Sequence, residues 1–192
     1  MQRFVLVGLC SGADNGYATG VADARVAGVV LIDPNAYPTW KTRPRFLLMG
    51  LGSPRWLLGS LRNHIRRLRP APEHRGEQAH ASEQAAGPSG AERDVRPKPP
   101  LAEFAAGLTS VVGRGGAIIA IYSGSSLRQF NHVRQLDEAL EPFGLAGRID
   151  CRLYARANHT FTELSAQAQL IDTIVEWSHA LAVRRGLARV SA

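Results

Sequence analysis

The sequence predicts an α/β fold built on a parallel sheet. Three short runs, residues 3–8, 25–32 and 117–122, are apolar without alternation, as strands covered on both faces are. A fourth strand is predicted at 148–154. Helical segments separate these strands, and repeated strand–helix units point to parallel pairing with helices on both faces of the sheet.

Taken in order, the first strand, 3–8, runs into Gly8-Leu-Cys10-Ser11-Gly12. A helix follows at 12–23, where Gly16 and Gly20 lower propensity but let the helix lie close on the sheet. The second strand, 25–32, ends at Asp33-Pro34, where the proline stops it. Leucines at helical spacing among the arginines of 34–69 predict one or two short amphipathic helices. Residues 70–100 are rich in Pro, Ala, Gly, Glu, Gln and Arg and hold almost no large apolar side chain. Such a segment cannot bury enough surface to offset its chain entropy, which predicts a disordered insertion. A helix at 101–112, a strand at 117–122 and a helix at 127–140 come next. On that last helix Phe130, Val133, Leu136 and Leu140 share a face. After the strand at 148–154, Thr160 and Glu163 fit a capping box for a final helix reaching about residue 184, with Leu170, Ile174 and Trp177 on its inner face.

The chain has 192 residues, 45% of them apolar, which suits one domain with a real core. No apolar run is long enough to span a membrane, and residues 1–20 do not read as a signal peptide. Cys10 and Cys151 are far apart and give neither a disulfide framework nor metal spacing, so neither metal nor cofactor is expected and a cytoplasmic location is the default. The formal charge is +7. Between Pro34 and Pro72 there is no Asp or Glu, whereas Lys41, Arg43, Arg45, Arg55, Arg62, Arg66, Arg67 and Arg69 all fall there. Two readings stand for this basic stretch: a solvated charged face on a cap helix, or a functional lid whose aromatics and leucines line an acyl pocket and whose arginines meet a polyanionic polymer or acidic head groups, the latter as peripheral membrane contact. Nucleic-acid binding is not expected, because no recognised module accompanies the charge.

The opening stretch has the layout of a nucleophile elbow: strand, sharp turn, helix. Residues two before and two after the nucleophile must be small, because the strand and helix backbones crowd there. Gly8 and Gly12 meet that need around Cys10, whereas Ser11 has Leu9 two before it. The register therefore names Cys10. The plainer reading is a small buried residue in a glycine-rich turn. If Cys10 attacks an acyl carbon, the backbone N–H of Ser11 faces the developing oxyanion.

The elbow, the strand ending Leu31-Ile-Asp33-Pro34, the insertion after it and the late Asn158-His159-Thr160 follow one another as in α/β-hydrolases. The Leu-Cys-Ser-Gly-Ala and Asp-Pro-Asn-Ala-Tyr wording most resembles the serine-aminopeptidase-like hydrolases, including those found beside exosortase systems. A cysteine in the nucleophile slot also resembles dienelactone hydrolases. The resemblance implies the C-terminal part of the α/β-hydrolase fold: a four-stranded parallel sheet, flanking helices, a basic lid at 34–69 and the insertion at 70–100, all within one partial domain. It implies hydrolysis of an ester, thioester or related acyl bond of a small substrate. Met1 stands at the start of the elbow strand, so the family's preceding elements, with one oxyanion donor, are expected to be missing. The elbow strand would then be an apolar sheet edge, which a partner chain could complete. A non-catalytic interaction module, binding through that edge or the basic lid, is the competing expectation.

His159, just past the last strand, stands at the face where parallel-sheet sites form and is the candidate base. His132 and His179 lie on predicted helices and are expected to be solvated. His64, His74 and His80 lie in or beside the basic and disordered segments. The family's usual acid position, after the third strand here, reads Ser123-Gly-Ser-Ser126 and holds no carboxylate. Asp137 lies in the next helix and reads as surface. The family's other acid position corresponds to Asp33. For Asp33 two readings stand, triad acid or strand-end turn with Pro34, and the turn is preferred. A thiol ionises more easily than a hydroxyl, so a Cys-His dyad without an acid is physically allowed.

Overall fold

A computed structural model describes residues 2–51 and 98–186. The chain divides into two compact units, residues 1–47 with 98–192 and residues 48–97. Of the second unit only residues 48–51 are described. The predicted helical spacing at 57–69 and the insertion up to residue 97 therefore lie outside the described residues.

Four strands form the sheet: β1 (Phe4–Leu9), β2 (Val26–Ile32), β3 (Ala117–Ser123) and β4 (Asp150–Tyr154). They lie side by side in chain order and every pair is parallel. The helices are α1 (Ser11–Ala22), α2 (Thr42–Leu51), α3 (Leu101–Gly113), α4 (Gln135–Leu140) and α5 (Leu164–Arg184). Right-handed crossovers that advance in one direction place their helices on one face of a sheet. Accordingly Ala13 of α1, Phe104, Leu108 and Val111 of α3 and Leu136 of α4 share one core with Val29, Leu31, Ile118, Ala120 and Tyr122. The alternate strand residues, Val30, Ile32, Ile119 and Ile121, point the other way and pack with Ala166, Trp177 and Leu181 around α5. Leu170 and Ile174 are partly buried against that second core.

β2 is buried along all seven residues. Among the described residues β1 has β2 as its neighbour on one side only, and Phe4 (41%), Val5 (39%), Val7 (55%) and Leu9 (37%) remain exposed.

The structure departs from the sequence reading in several places. The helix expected at 127–140 shrinks to α4, preceded by a 3-10 turn at Gly124–Ser126. Side chain–backbone bonds hold the intervening loop out of the helix. Gln135 accepts from the Asn131 N–H and donates to the Gln129 and Tyr37 carbonyls, and the Asn131 amide donates to the Thr42 carbonyl. Such bonds offer the backbone an alternative to helical pairing. Phe130 stacks on Tyr122 with ring centroids 3.6 Å apart, but Val133 is exposed rather than on the buried face. The Thr160–Glu163 capping box does not form: Glu163 is the N-cap and its side chain makes no capping bond. Asn158 and Thr162 close the turn instead, with Asn158 Oδ1 accepting from the Thr162 N–H at 3.0 Å and Asn158 Nδ2 donating to Thr162 Oγ1 at 2.6 Å. Residues 98–100, described in the structure, fall inside the range expected to be disordered, and Lys98 and Pro99 are held in place. The Lys98 ammonium stands over the Tyr37 ring and donates to the Ala36 carbonyl, while the Tyr37 hydroxyl donates to the Pro99 carbonyl. Of the basic stretch, α2 is described, with Leu47, Leu48 and Met49 exposed. Lys41 is not a free surface cation, since it pairs with Glu138 at 2.7 Å.

Candidate active site

The C-terminal ends of β1, β2 and β3 and the loop after β4 hold the candidate residues. β1 ends in a turn at Cys10 with φ 56° and ψ −118°. That is the first central position of a type II′ turn, a conformation dominated by glycine. A non-glycine residue there stores roughly 1–3 kcal/mol of strain. The turn reverses β1 into α1 so sharply that a Cβ on Gly8 would lie 2.1 Å from the Gly12 carbonyl oxygen. Crowding therefore fixes glycine at position 8. The matching expectation for position 12 is not met, because a Cβ on Gly12 meets nothing within 4 Å. Ser11 opens α1, and the first N–H groups of a helix have no intrahelical acceptor.

The parallel register sets Cys10 beside Asp33. Leu9 pairs with Ile32, and the Cys10 N–H donates to the Ile32 carbonyl at 2.9 Å. Asp33 has φ 47°, a conformation that Asp tolerates better than most residues. Its N–H donates to the Ile121 carbonyl of β3. The side chain is almost dry, at 3% exposure. Its Oδ1 accepts from the Ser123 N–H at 2.7 Å and Ser126 Oγ at 3.0 Å; its Oδ2 accepts from Ser123 Oγ at 2.6 Å. Oδ2 also lies 2.7 Å from His159 Nδ1. A carboxylate accepts hydrogen bonds, so in the neutral ring this network assigns the imidazole proton to Nδ1 and leaves the lone pair on Nε2. Asp33 bends the chain at the end of β2, and its carboxylate also reaches across the sheet to His159.

His159 sits in the loop between β4 and α5, its side chain 43% exposed. Two residues on, Phe161 has φ 50° and is buried, edge-on to Tyr154. Among the described residues, the non-glycine residues with positive φ are Cys10, Asp33 and Phe161. All three lie in the loops that carry the candidate residues. Strain of this kind clusters at functional sites.

The structure joins His159 to Asp33 and sets the Cys10 backbone beside Asp33 at the end of β2. Among the described residues Cys10 is a free cysteine that forms no side-chain hydrogen bond, to His159 or to any other group. Cys151 is buried in the α1/α3 core, and burial, then the Asp137 carboxylate, push its thiol up to about 12.

The other residues sort differently from expectation. His132 is not solvated. Its side chain is 11% exposed and Nε2 lies 3.6 Å from Glu138 Oε2, too long for a hydrogen bond. Burial first, then Arg45, hold its pKa below the usual histidine range. Asp137 caps a loop by accepting from the Gly147 N–H. His179 is exposed, as expected. The residues the sequence reading missed are Ser123 and Ser126. Ser123 ends β3 and Ser126 follows it, and both supply donors to the Asp33 carboxylate. Among the described residues no three His, Cys, Asp or Glu side chains gather as a metal site requires, and no helix is long and apolar enough to cross a membrane. No protein-family model matches the chain, and no curated protein or solved structure matches it either.

Proposed function

We propose that the chain hydrolyses an ester, thioester or related acyl bond by nucleophilic catalysis, with Cys10 as nucleophile, His159 as base and Asp33 as the acid that orients it. The observation that carries this reading is the 2.7 Å hydrogen bond from His159 Nδ1 to the buried Asp33 carboxylate, one strand away from Cys10 in its strained turn. The chain order of elbow strand, second strand, insertion, two further strands and histidine supports an α/β-hydrolase type of fold, with 34–69 as its lid.

The steps follow from the residue chemistry. Asp33 holds the imidazole so that Nε2 accepts the Cys10 thiol proton. The sulfur adds to the carbonyl carbon, and the oxygen takes up the electron pair facing the Ser11 N–H. Collapse expels the alcohol or thiol, which leaves with the proton from His159. Water then loses a proton to His159 and attacks the thioester. The acid departs and the Cys10 thiol is restored. Contacts between nucleophile and base are commonly loose before substrate binds, which fits a Cys10 side chain without a hydrogen bond.

Labelling with an acyl-type activity probe tests this reading. Wild type should label and Cys10→Ala should not; equal labelling of the two rules out Cys10 as nucleophile. A second reading has its own observation, the apolar exposed edge of β1. An undefended edge accepts a strand from another chain, which makes the protein an interaction module. Sedimentation velocity should then show association that Val7→Lys abolishes. A monomer at all concentrations, with no added partner bound, removes this reading.

A further inference from the structure

We propose that the Ser123–Ser126 turn is a positioning device that fixes the plane of the Asp33 carboxylate and thereby the ring of His159. This rests on the reading of Cys10, His159 and Asp33 as the reacting set.

A carboxylate turns readily about its last bond, because sp³–sp² torsions are broad. Holding it in one plane takes donors on both oxygens. The turn supplies three: the Ser123 N–H and Ser126 Oγ on Oδ1, and Ser123 Oγ on Oδ2. Oδ2 also meets His159 Nδ1, at 2.7 Å. The direction of the Ser123 hydroxyl is itself fixed. Its oxygen accepts from the Ser125 N–H at 3.2 Å, which leaves its proton for Asp33. Ser123 is fully buried, so no water competes for either bond, and linked bonds in such a site strengthen one another.

The same turn touches the loop that bears the histidine. The Gly124 N–H donates to the Ala157 carbonyl at 2.8 Å. A Cβ on Gly124 would lie 2.3 Å from the Ala155 carbonyl oxygen and 2.9 Å from that of Ala157. Only glycine allows this contact. One turn therefore grips the acid through its serines and the histidine loop through its glycine, and sets the distance between them. Ser123 and Ser126 are positioning residues: each acts through Asp33.

The test uses the full chain with ¹⁵N-labelled histidine. Wild type should show a far-downfield Nδ1 proton, assigned to His159 by its loss in His159→Gln. Ser123→Ala should abolish that resonance, Ser126→Ala should shift and broaden it, and Ser126→Thr should restore it. In parallel, the Cys10-dependent turnover of an aryl ester should fall about tenfold in Ser126→Ala and about a hundredfold in Ser123→Ala. The loss should lie in kcat with KM unchanged and be recovered in Ser126→Thr. If Ser123→Ala does not fold, the partly exposed Ser126 pair decides alone. A wild type without the resonance, variants that keep it unchanged, or variants that turn over at the wild-type rate overturn the proposal. A wild type that shows the resonance but no Cys10-dependent turnover sinks the functional reading, and the resonance in the variants then decides the positioning role by itself.

Discussion

Asp33→Asn changes one buried atom type and leaves the shape intact. The amide oxygen has a clear preference between its two sites. At the Oδ1 position it keeps the Ser123 N–H and Ser126 Oγ, at 2.7 and 3.0 Å. In the opposite orientation an NH2 would face the Ser123 N–H, donor against donor. The amide nitrogen therefore takes the Oδ2 position and points at His159 Nδ1, which lay 2.7 Å from the carboxylate. To be satisfied, the imidazole must accept at Nδ1, which moves its proton to Nε2 and removes the lone pair that would deprotonate Cys10. The two bonds to the Oδ2 site, from His159 Nδ1 and Ser123 Oγ, are lost or must reverse, and the two to the Oδ1 site lose charge assistance, at about 1.5–3 kcal/mol for a bond to a charged group. A net loss of about 2–3 kcal/mol is expected, or a Tm lower by roughly 5–10 °C for a chain of this size. The wrong tautomer costs about 10⁴ in rate where serine is the nucleophile; a thiol relies less on its base, so a fall on the order of 100-fold is expected here. Calorimetry and the kinetics of acyl-probe labelling read the two effects separately. Wild-type labelling at an unchanged Tm would refute the argument that Asp33 sets the tautomer.

Three further outcomes follow from other contacts. Gly8→Ala places a methyl on backbone atoms, so a loss of about 3 kcal/mol is expected, while Gly12→Ala, facing open space, should change stability by less than about 1 kcal/mol; urea denaturation of the pair checks the contrast. With its thiol pushed up to about 12 by burial and Asp137, Cys151 contributes stability that is intact below its unfolded value and lost as pH rises from about 9 toward 12. Cys151→Ala should flatten that alkaline loss, and iodoacetamide on the native protein at pH 8 should modify Cys10 alone, read by mass spectrometry. His132 is held below its ordinary value by burial and by Arg45, Lys41 and Arg134, against the opposing Glu138. Its contribution is therefore present above about pH 6.5 and lost as pH falls through its folded value. Melting curves from pH 7.5 to 5 should steepen in wild type and flatten in His132→Gln.

The sheet was legible because its signals are local. β2 and β3 are unbroken apolar runs, and nothing but burial on both faces accommodates them. The Cys10 turn was legible for the same reason, since Gly8 and the turn are near neighbours in sequence. Asp33 was not, because its partners are about 90 to 126 residues away. An Asp before Pro carries a strong local turn signal, and only the parallel register of β2 and β3 shows that the carboxylate faces Ser123. The helix at 127–140 failed from the opposite cause: Phe130, Leu136 and Leu140 are buried as their spacing implied, but Gln135 and Asn131 spend their side chains on distant carbonyls. His132 was misplaced with it.

The turn that carries Cys10 follows β1, the strand that among the described residues has one neighbour. Any fraying of β1 away from β2 breaks the Cys10 N–H bond to Ile32 and carries Cys10 out of line with Asp33, while β2 and β3, flanked on both sides, keep the acid and its serines in place. The site is thus built from a stiff half and a compliant half. If Cys10 is the nucleophile proposed above, its rate of reaction measures how much of the time β1 stays zipped, and anything that grips the other side of β1 acts as a splint on it.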